Sequence, residues 1–155
     1  MSDFGKLLTA VITPFDCNGV LSTDTLWRLC KKLVHEKSEG LVLSGTTGES
    51  PNLTKDDRKI IYSTAKDSVG DKAKIIAGTG TYSTKESIEY TKMANDLGVD
   101  GIMIVTPYYS KPSQYGILKH FELISKNTEF SCFSKFFKYP SSLLSITLEL
   151  TIILL

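Results

Sequence analysis

Metal and disulfide chemistry have little to work with in this chain. It holds three cysteines, Cys17, Cys30 and Cys132, an odd number without CxxC spacing, and two histidines, His35 and His120. This argues against a disulfide framework and for reduced thiols in a cytosolic, cytoplasmic protein. Neither histidine has a partner at metal-ligand spacing, so no metal site is expected, and both fall at surface or boundary positions of helical segments. Charge of one sign is also lacking: 18 basic against 17 acidic side chains leave a net charge of +1. No basic face for nucleic acid or for an anionic membrane is implied. No apolar run reaches the ~18 residues that span a bilayer. Met1-Ser2-Asp3-Phe4 lacks the basic start and apolar core of a signal peptide. The zinc-protease, serine-hydrolase and Walker-type phosphate-loop patterns are all absent.

What is present is a repeating plan over the first 129 residues. An apolar run, a polar turn and a helix-periodic segment recur four times. The runs are Leu7 to Thr13, Leu41 to Ser44, Ala73 to Ala77 and Gly101 to Val105. The first helix starts near Ser22 and places Leu26, Leu29, Cys30, Leu33 and Val34 on one face. The second starts at Thr54, with Asp57 completing a capping-box-like pair, and ends near Gly70. Ser83-Thr84-Lys85-Glu86 opens the third as a capping box, and Gly98 ends it. The fourth opens near Ser113 and carries Ile117, Leu118, Phe121 and Ile124 on one face.

Four βα units in a row predict a parallel sheet, because parallel strands need a crossover between them. The strand runs hold almost no charge, as when both faces are covered. An open doubly wound sheet and part of a (β/α)8 barrel both fit the spacing. Special residues follow every run: Thr13-Pro14-Phe15-Asp16, Gly45-Thr46-Thr47-Gly48-Glu49, Gly78-Thr79-Gly80 and Thr106-Pro107-Tyr108-Tyr109. Ligand loops at every strand end favour the barrel over a single switch point.

The Gly45-to-Glu49 turn is the strongest chemical signal. Glycines expose backbone N–H groups and two threonines add hydroxyls, a combination suited to a carboxylate or phosphate. Gly78-Thr79-Gly80 reads as a tight turn instead, since the position three beyond Gly80 is Ser83, not the third glycine of a dinucleotide fingerprint. A small-anion-binding α/β domain would satisfy this much.

Four stretches in order carry a resemblance: "AVITPFDCNGVLS", "SGTTGES", "IAGTGTYSTKESIEYTKMANDLGVDG" and "VTPYYSKPSQYG". Residues 1 to about 129 resemble the N-terminal half of the dihydrodipicolinate synthase family, among the pyruvate-dependent class I aldolases. The resemblance implies four βα units, the first half of a (β/α)8 TIM barrel, in an enzyme that is usually a homotetramer built from tight dimers. It implies condensation of pyruvate with aspartate semialdehyde in lysine biosynthesis, through a Schiff base on a strand-six lysine and without a cofactor. Thr46 would relay a proton between two tyrosines. Tyr109 would be one of them, reaching across the dimer interface. Thr47 and the turn's N–H groups would hold the substrate carboxylate. Tyr108, Ser50 and Glu86 would sit at the interface near the regulatory cleft. Where lysine-sensitive members carry a histidine and an asparagine, this chain has Arg58 and Tyr82, so an arginine repelling lysine is expected in that cleft.

The resemblance stops near Phe130. No glycine follows Gly116, and the last 26 residues carry only Lys135, Lys138 and Glu149 as charges. A fifth strand is due, with a Tyr-Asn-x-Pro-x-Arg motif that would bring the second tyrosine and a substrate-binding arginine. Tyr139-Pro140 is at best a faint echo of it. Residues 130–155 read as a non-family tail of the kind a shifted reading frame produces. With no strand-six lysine, the 155 residues are expected to be inactive alone, to associate or aggregate through open edges, and at most to act as a remnant that joins intact subunits.

Overall fold

Leu41, Leu43, Ile75, Ala77, Ile102 and Ile104 alternate along three strands and are almost completely buried in one cluster with Leu26, Cys30, Ile61, Tyr62 and Ala65 from the helices. That alternation fixes which face of the sheet the helices cover. The structure, a computed structural model, describes residues 4–128 and the strand at 132–135, the latter as backbone only. The expectations for Lys138, Tyr139-Pro140 and the apolar end fall outside the described residues.

The strands are β1 (Leu8–Ala10), β2 (Gly40–Leu43), β3 (Lys74–Gly78), β4 (Gly101–Val105) and β5 (Cys132–Lys135). The helices are α1 (Thr23–His35), α2 (Lys55–Val69), α3 (Thr84–Asp96) and α4 (Gln114–Ser125). All pairings are parallel and the spatial order is β1-β2-β3-β4-β5. A doubly wound sheet would reverse direction at a switch point; strictly sequential order is how a barrel begins. The sheet's second face, with Ala10 and Ile12 exposed and Val42, Met103 and Val105 half-buried, is the side a closed barrel would fill.

Local chemistry sets the helix starts. Thr54 and Asp57 form a complete capping box at α2. Ser83 caps α3 by accepting from the Glu86 amide, but the reciprocal half of the expected box is missing, because the Glu86 carboxylate accepts from the Tyr90 hydroxyl instead. Ser113 caps α4 in the same one-sided way. Ser22 precedes α1, but its hydroxyl turns to Thr25 and caps no amide.

Two expectations about α4 need correction. Leu118 is 46% exposed, off the buried face, and His120 is 2% exposed rather than at the surface. The His120 ring lies against α3, with Nδ1 2.9 Å from the Thr84 hydroxyl and its edge toward Phe121. Burial holds its pKa below the usual imidazole value. His35 is exposed, as expected. The fifth strand is also present past the break in pattern: Ile102 pairs with Cys132 and Val105 with Lys135.

Candidate active site on the threonine turn

β2 ends abruptly because Ser44 takes a left-handed backbone, φ 51°. The chain then folds into Gly45-Thr46-Thr47-Gly48-Glu49, and Glu49, also left-handed at φ 55°, leads into a single 3₁₀ turn at Ser50–Asn52. Non-glycine residues adopt this conformation only where their surroundings insist. Three turn amides are consumed internally: Gly48 and Ser50 donate to the Gly45 carbonyl, and Glu49 donates to Thr46. Thr13, at the end of the first strand run, donates its buried hydroxyl to the Gly48 carbonyl at 2.7 Å. The Thr47 amide and hydroxyl have no partner among the described residues, and Thr46 and Thr47 are both exposed. Thr47 is thus the residue of the turn whose amide and hydroxyl stand unengaged at its exposed surface.

From below, the turn rests on β3. A side-chain carbon at Gly78 would lie 2.3 Å from the Ser44 carbonyl oxygen, so only glycine permits this approach. The Gly78 carbonyl accepts from Arg58 Nη1 at 2.7 Å and from the Tyr62 hydroxyl at 3.0 Å. Arg58 Nη2 reaches the Ser50 carbonyl at 2.7 Å and its hydroxyl at 2.8 Å. Arg58 and Tyr62 stand one turn apart on α2 and both are buried. Burial pushes the Tyr62 phenol above its ordinary pKa, with the Arg58 charge pulling the other way. Arg58, the arginine expected at the regulatory cleft, is 2% exposed, with its Nη donors turned onto the Gly78 and Ser50 carbonyls and the Ser50 hydroxyl.

Gly78-Thr79-Gly80 does not form the expected tight turn: Gly78 ends β3, and Thr79 and Gly80 run on beside β4 without a turn or bend. The Thr79 and Gly80 amides donate to the Met103 carbonyl, and Thr79 is wholly buried against the Thr91 hydroxyl, so no phosphate cradle forms.

The tyrosine pair diverges. Tyr108 packs edge-on against Tyr82, with ring centroids 5.7 Å apart, and its pKa is raised chiefly by burial. Tyr109 takes φ 70° and is 97% exposed. A ring this exposed touches almost nothing of its own chain, so the structure does not bring it to Thr46. Ser50 and Glu86 are half-buried; the Ser50 hydroxyl accepts from Arg58 Nη2 and the Glu86 carboxylate accepts from the Tyr90 hydroxyl. Arg58 caps the Tyr90 ring at 4.6 Å and links these residues into one layer. Among the described residues there is no cluster that would hold a metal ion, and no helix is long and apolar enough to cross a membrane.

Sequence reasoning missed Thr13, Tyr62 and the clamping part played by Arg58. The i, i+4 spacing of Arg58 and Tyr62 was the available signal, since it places both on one helical face.

Comparison with known proteins agrees with this geometry. A 4-hydroxy-tetrahydrodipicolinate synthase of Desulforudis audaxviator is 48% identical over 126 residues, covering 81% of this chain and 43% of the relative. The crystal structure of a dihydrodipicolinate synthase from Bacillus anthracis superposes with a TM-score of 0.84 at 40% identity, covering 86% of this chain and 46% of that one. The chloride-inhibited enzyme from Acinetobacter baumannii, solved with pyruvate, gives 0.82 at 33% identity, over 84% and 45%. The chain thus spans less than half the length of the relatives it matches, as half of their barrel. The profile of the dihydrodipicolinate synthetase family matches residues 3–133, most of the chain, and the chain belongs to that family.

Proposed function

We propose that these residues are the carboxylate-holding and proton-relaying half of a pyruvate-dependent Schiff-base lyase, and that the 155-residue chain performs no condensation alone. The observation that carries this reading is Thr47: its amide and hydroxyl are unengaged at the C-terminal end of the sheet, on a turn already fixed by Thr13 and Arg58. In a complete barrel the substrates would be pyruvate and aspartate semialdehyde. Thr47 would hold the carboxylate by two hydrogen bonds. Thr46, beside it, would pass a proton without gaining net charge. Tyr109, projecting from the loop after β4, would serve the site of a neighbouring subunit in a homo-oligomer. The missing partners are the strand-six lysine and the strand-five tyrosine and arginine.

A second reading, a non-catalytic remnant that associates with intact barrel subunits, is favoured by the exposed inner residues Ala10 and Ile12 beside the outer edge of β1. We read residues beyond the family match as foreign sequence. Translating the downstream DNA in its other frames checks this, since a frameshift leaves the Tyr-Asn-x-Pro motif legible there and its absence from every frame refutes the idea.

A pyruvate titration followed by amide NMR tests the carboxylate site. A single contact in an open half-site supports only weak binding, about millimolar or weaker. The Thr47 amide should shift saturably, and Thr47→Val should weaken the response. A shift centred elsewhere, or one indifferent to Thr47→Val, contradicts the assignment.

A further inference from the structure

Arg58 is among the largest fully buried side chains of the molecule, yet it makes no ion pair with any described carboxylate. A buried, unpaired charge is costly, and such groups persist where a network of dipoles satisfies them. Here the satisfying groups are two backbone carbonyls and a hydroxyl, with the Tyr90 ring across the guanidinium and Nε left without a partner. A hydrophobic residue would fill the space at lower cost. What the guanidinium supplies is its fork. One arm holds the last residue of β3, Gly78, and the other holds Ser50, whose amide closes the threonine turn onto Gly45. The turn contains or adjoins two left-handed non-glycine residues, Ser44 and Glu49, and needs an outside restraint to keep that shape. The restraint springs from the first turns of α2, which the Thr54–Asp57 capping box makes rigid.

We propose that Arg58 is a positioning residue for the threonine turn. Acting through Ser50 and Gly78, it holds the Thr47 amide and hydroxyl in the orientation that receives a carboxylate. This rests on the reading of Thr47 as the carboxylate contact. The clamp and the contact are nevertheless separable by experiment, because one is seen without ligand and the other only with it. Lysine in place of arginine would keep the charge but lose the planar fork that spans two acceptors.

The test uses the full chain and three variants, Arg58→Met, Arg58→Lys and Ser50→Ala, with residue-resolved hydrogen exchange and then a pyruvate titration. In Arg58→Met the Gly48, Glu49 and Ser50 amides should exchange faster by about tenfold or more, the factor corresponding to loss of one hydrogen bond to a charged group. Strand amides such as those of Leu43 and Ala77 should keep their protection. Arg58→Lys should give an intermediate acceleration. Ser50→Ala, which spares the backbone acceptor, should give a smaller one. Pyruvate binding at the Thr47 amide should weaken in the same order. Unchanged turn exchange in Arg58→Met, with strand protection intact, overturns the proposal. If Arg58→Met loses strand protection, Arg58→Lys and Ser50→Ala decide: acceleration confined to the turn supports positioning, and acceleration spread over the sheet shows a merely structural arginine. A turn loosened as expected but with no pyruvate response at Thr47 in the unaltered chain sinks the carboxylate reading and leaves the clamp standing.

Discussion

Tyr62 shows how one hydroxyl ties the site to solution conditions. It donates to the Gly78 carbonyl at 3.0 Å from a fully buried position, and burial raises its pKa. The neutral phenol is therefore the form the fold favours. Its stabilisation is complete below the unfolded value of about 10 and is lost as pH rises through the higher folded value. Tyr90, raised by burial first and by Glu86 next, adds to the same alkaline loss. Tyr62→Phe should cost about 1 kcal/mol at neutral pH, the worth of one ordinary hydrogen bond. It is no more because Arg58 still satisfies the carbonyl. It should also flatten the fall in stability as pH rises above about 10. Denaturant unfolding across that range checks both. A variant whose alkaline slope equals that of the parent removes Tyr62 from the account.

Elements differ in how firmly they are tied at their starts. Thr54→Ala removes the hydroxyl that caps the Asp57 amide, sparing the backbone N–H of residue 54 that donates to the Asp57 carboxylate, and should cost about 1 kcal/mol, whereas Ser22→Ala, which removes no cap bond, should cost markedly less. Paired urea melts distinguish the two, and equal losses would refute the assignment of caps. These starts were legible in the sequence because a cap is a local device, readable within four residues. The barrel-like order was legible for a related reason, since every strand run ended in special residues. Strand limits slipped by a residue or more: β1 is only Leu8–Ala10 of the expected Leu7 to Thr13. Which α4 residue turns inward was not legible, because His120 displaces Leu118 through a contact with Thr84, 36 residues away. The same holds for the site. The threonine turn announces itself locally, but Thr13 meets Gly48 across 35 positions and Arg58 meets Gly78 across 20, and no local pattern reports such pairs. β5 was obscured for another reason: its backbone pairs with the edge of β4, which a reading of its own glycine-free sequence could not foresee.

At the scale of the molecule, the described residues form a five-stranded parallel sheet with helices on one face, matching about half of a solved relative's barrel. Full (β/α)8 barrels take about 250 residues. Among the described residues β1 pairs with β2 alone and the inner face is partly exposed, an arrangement that favours association. The threonine turn, by contrast, is held within the described residues: the Gly48, Glu49 and Ser50 amides bond inside it, and the Gly48 and Ser50 carbonyls accept from Thr13 and Arg58. On the proposed reading, binding geometry and covalent chemistry reside on different parts of the barrel. On that reading the turn forms here without the amine that would carry the Schiff base. The most direct measurement is reduction with borohydride in the presence of pyruvate, followed by intact and peptide mass analysis. It is done on the chain alone and on the chain mixed with the separately produced C-terminal half of a close family relative. The account predicts no pyruvate adduct on the chain alone, and in the mixture an adduct confined to the added half, co-eluting with this chain. A stoichiometric adduct on any lysine of the 155 residues, Lys135 and Lys138 included, would contradict it.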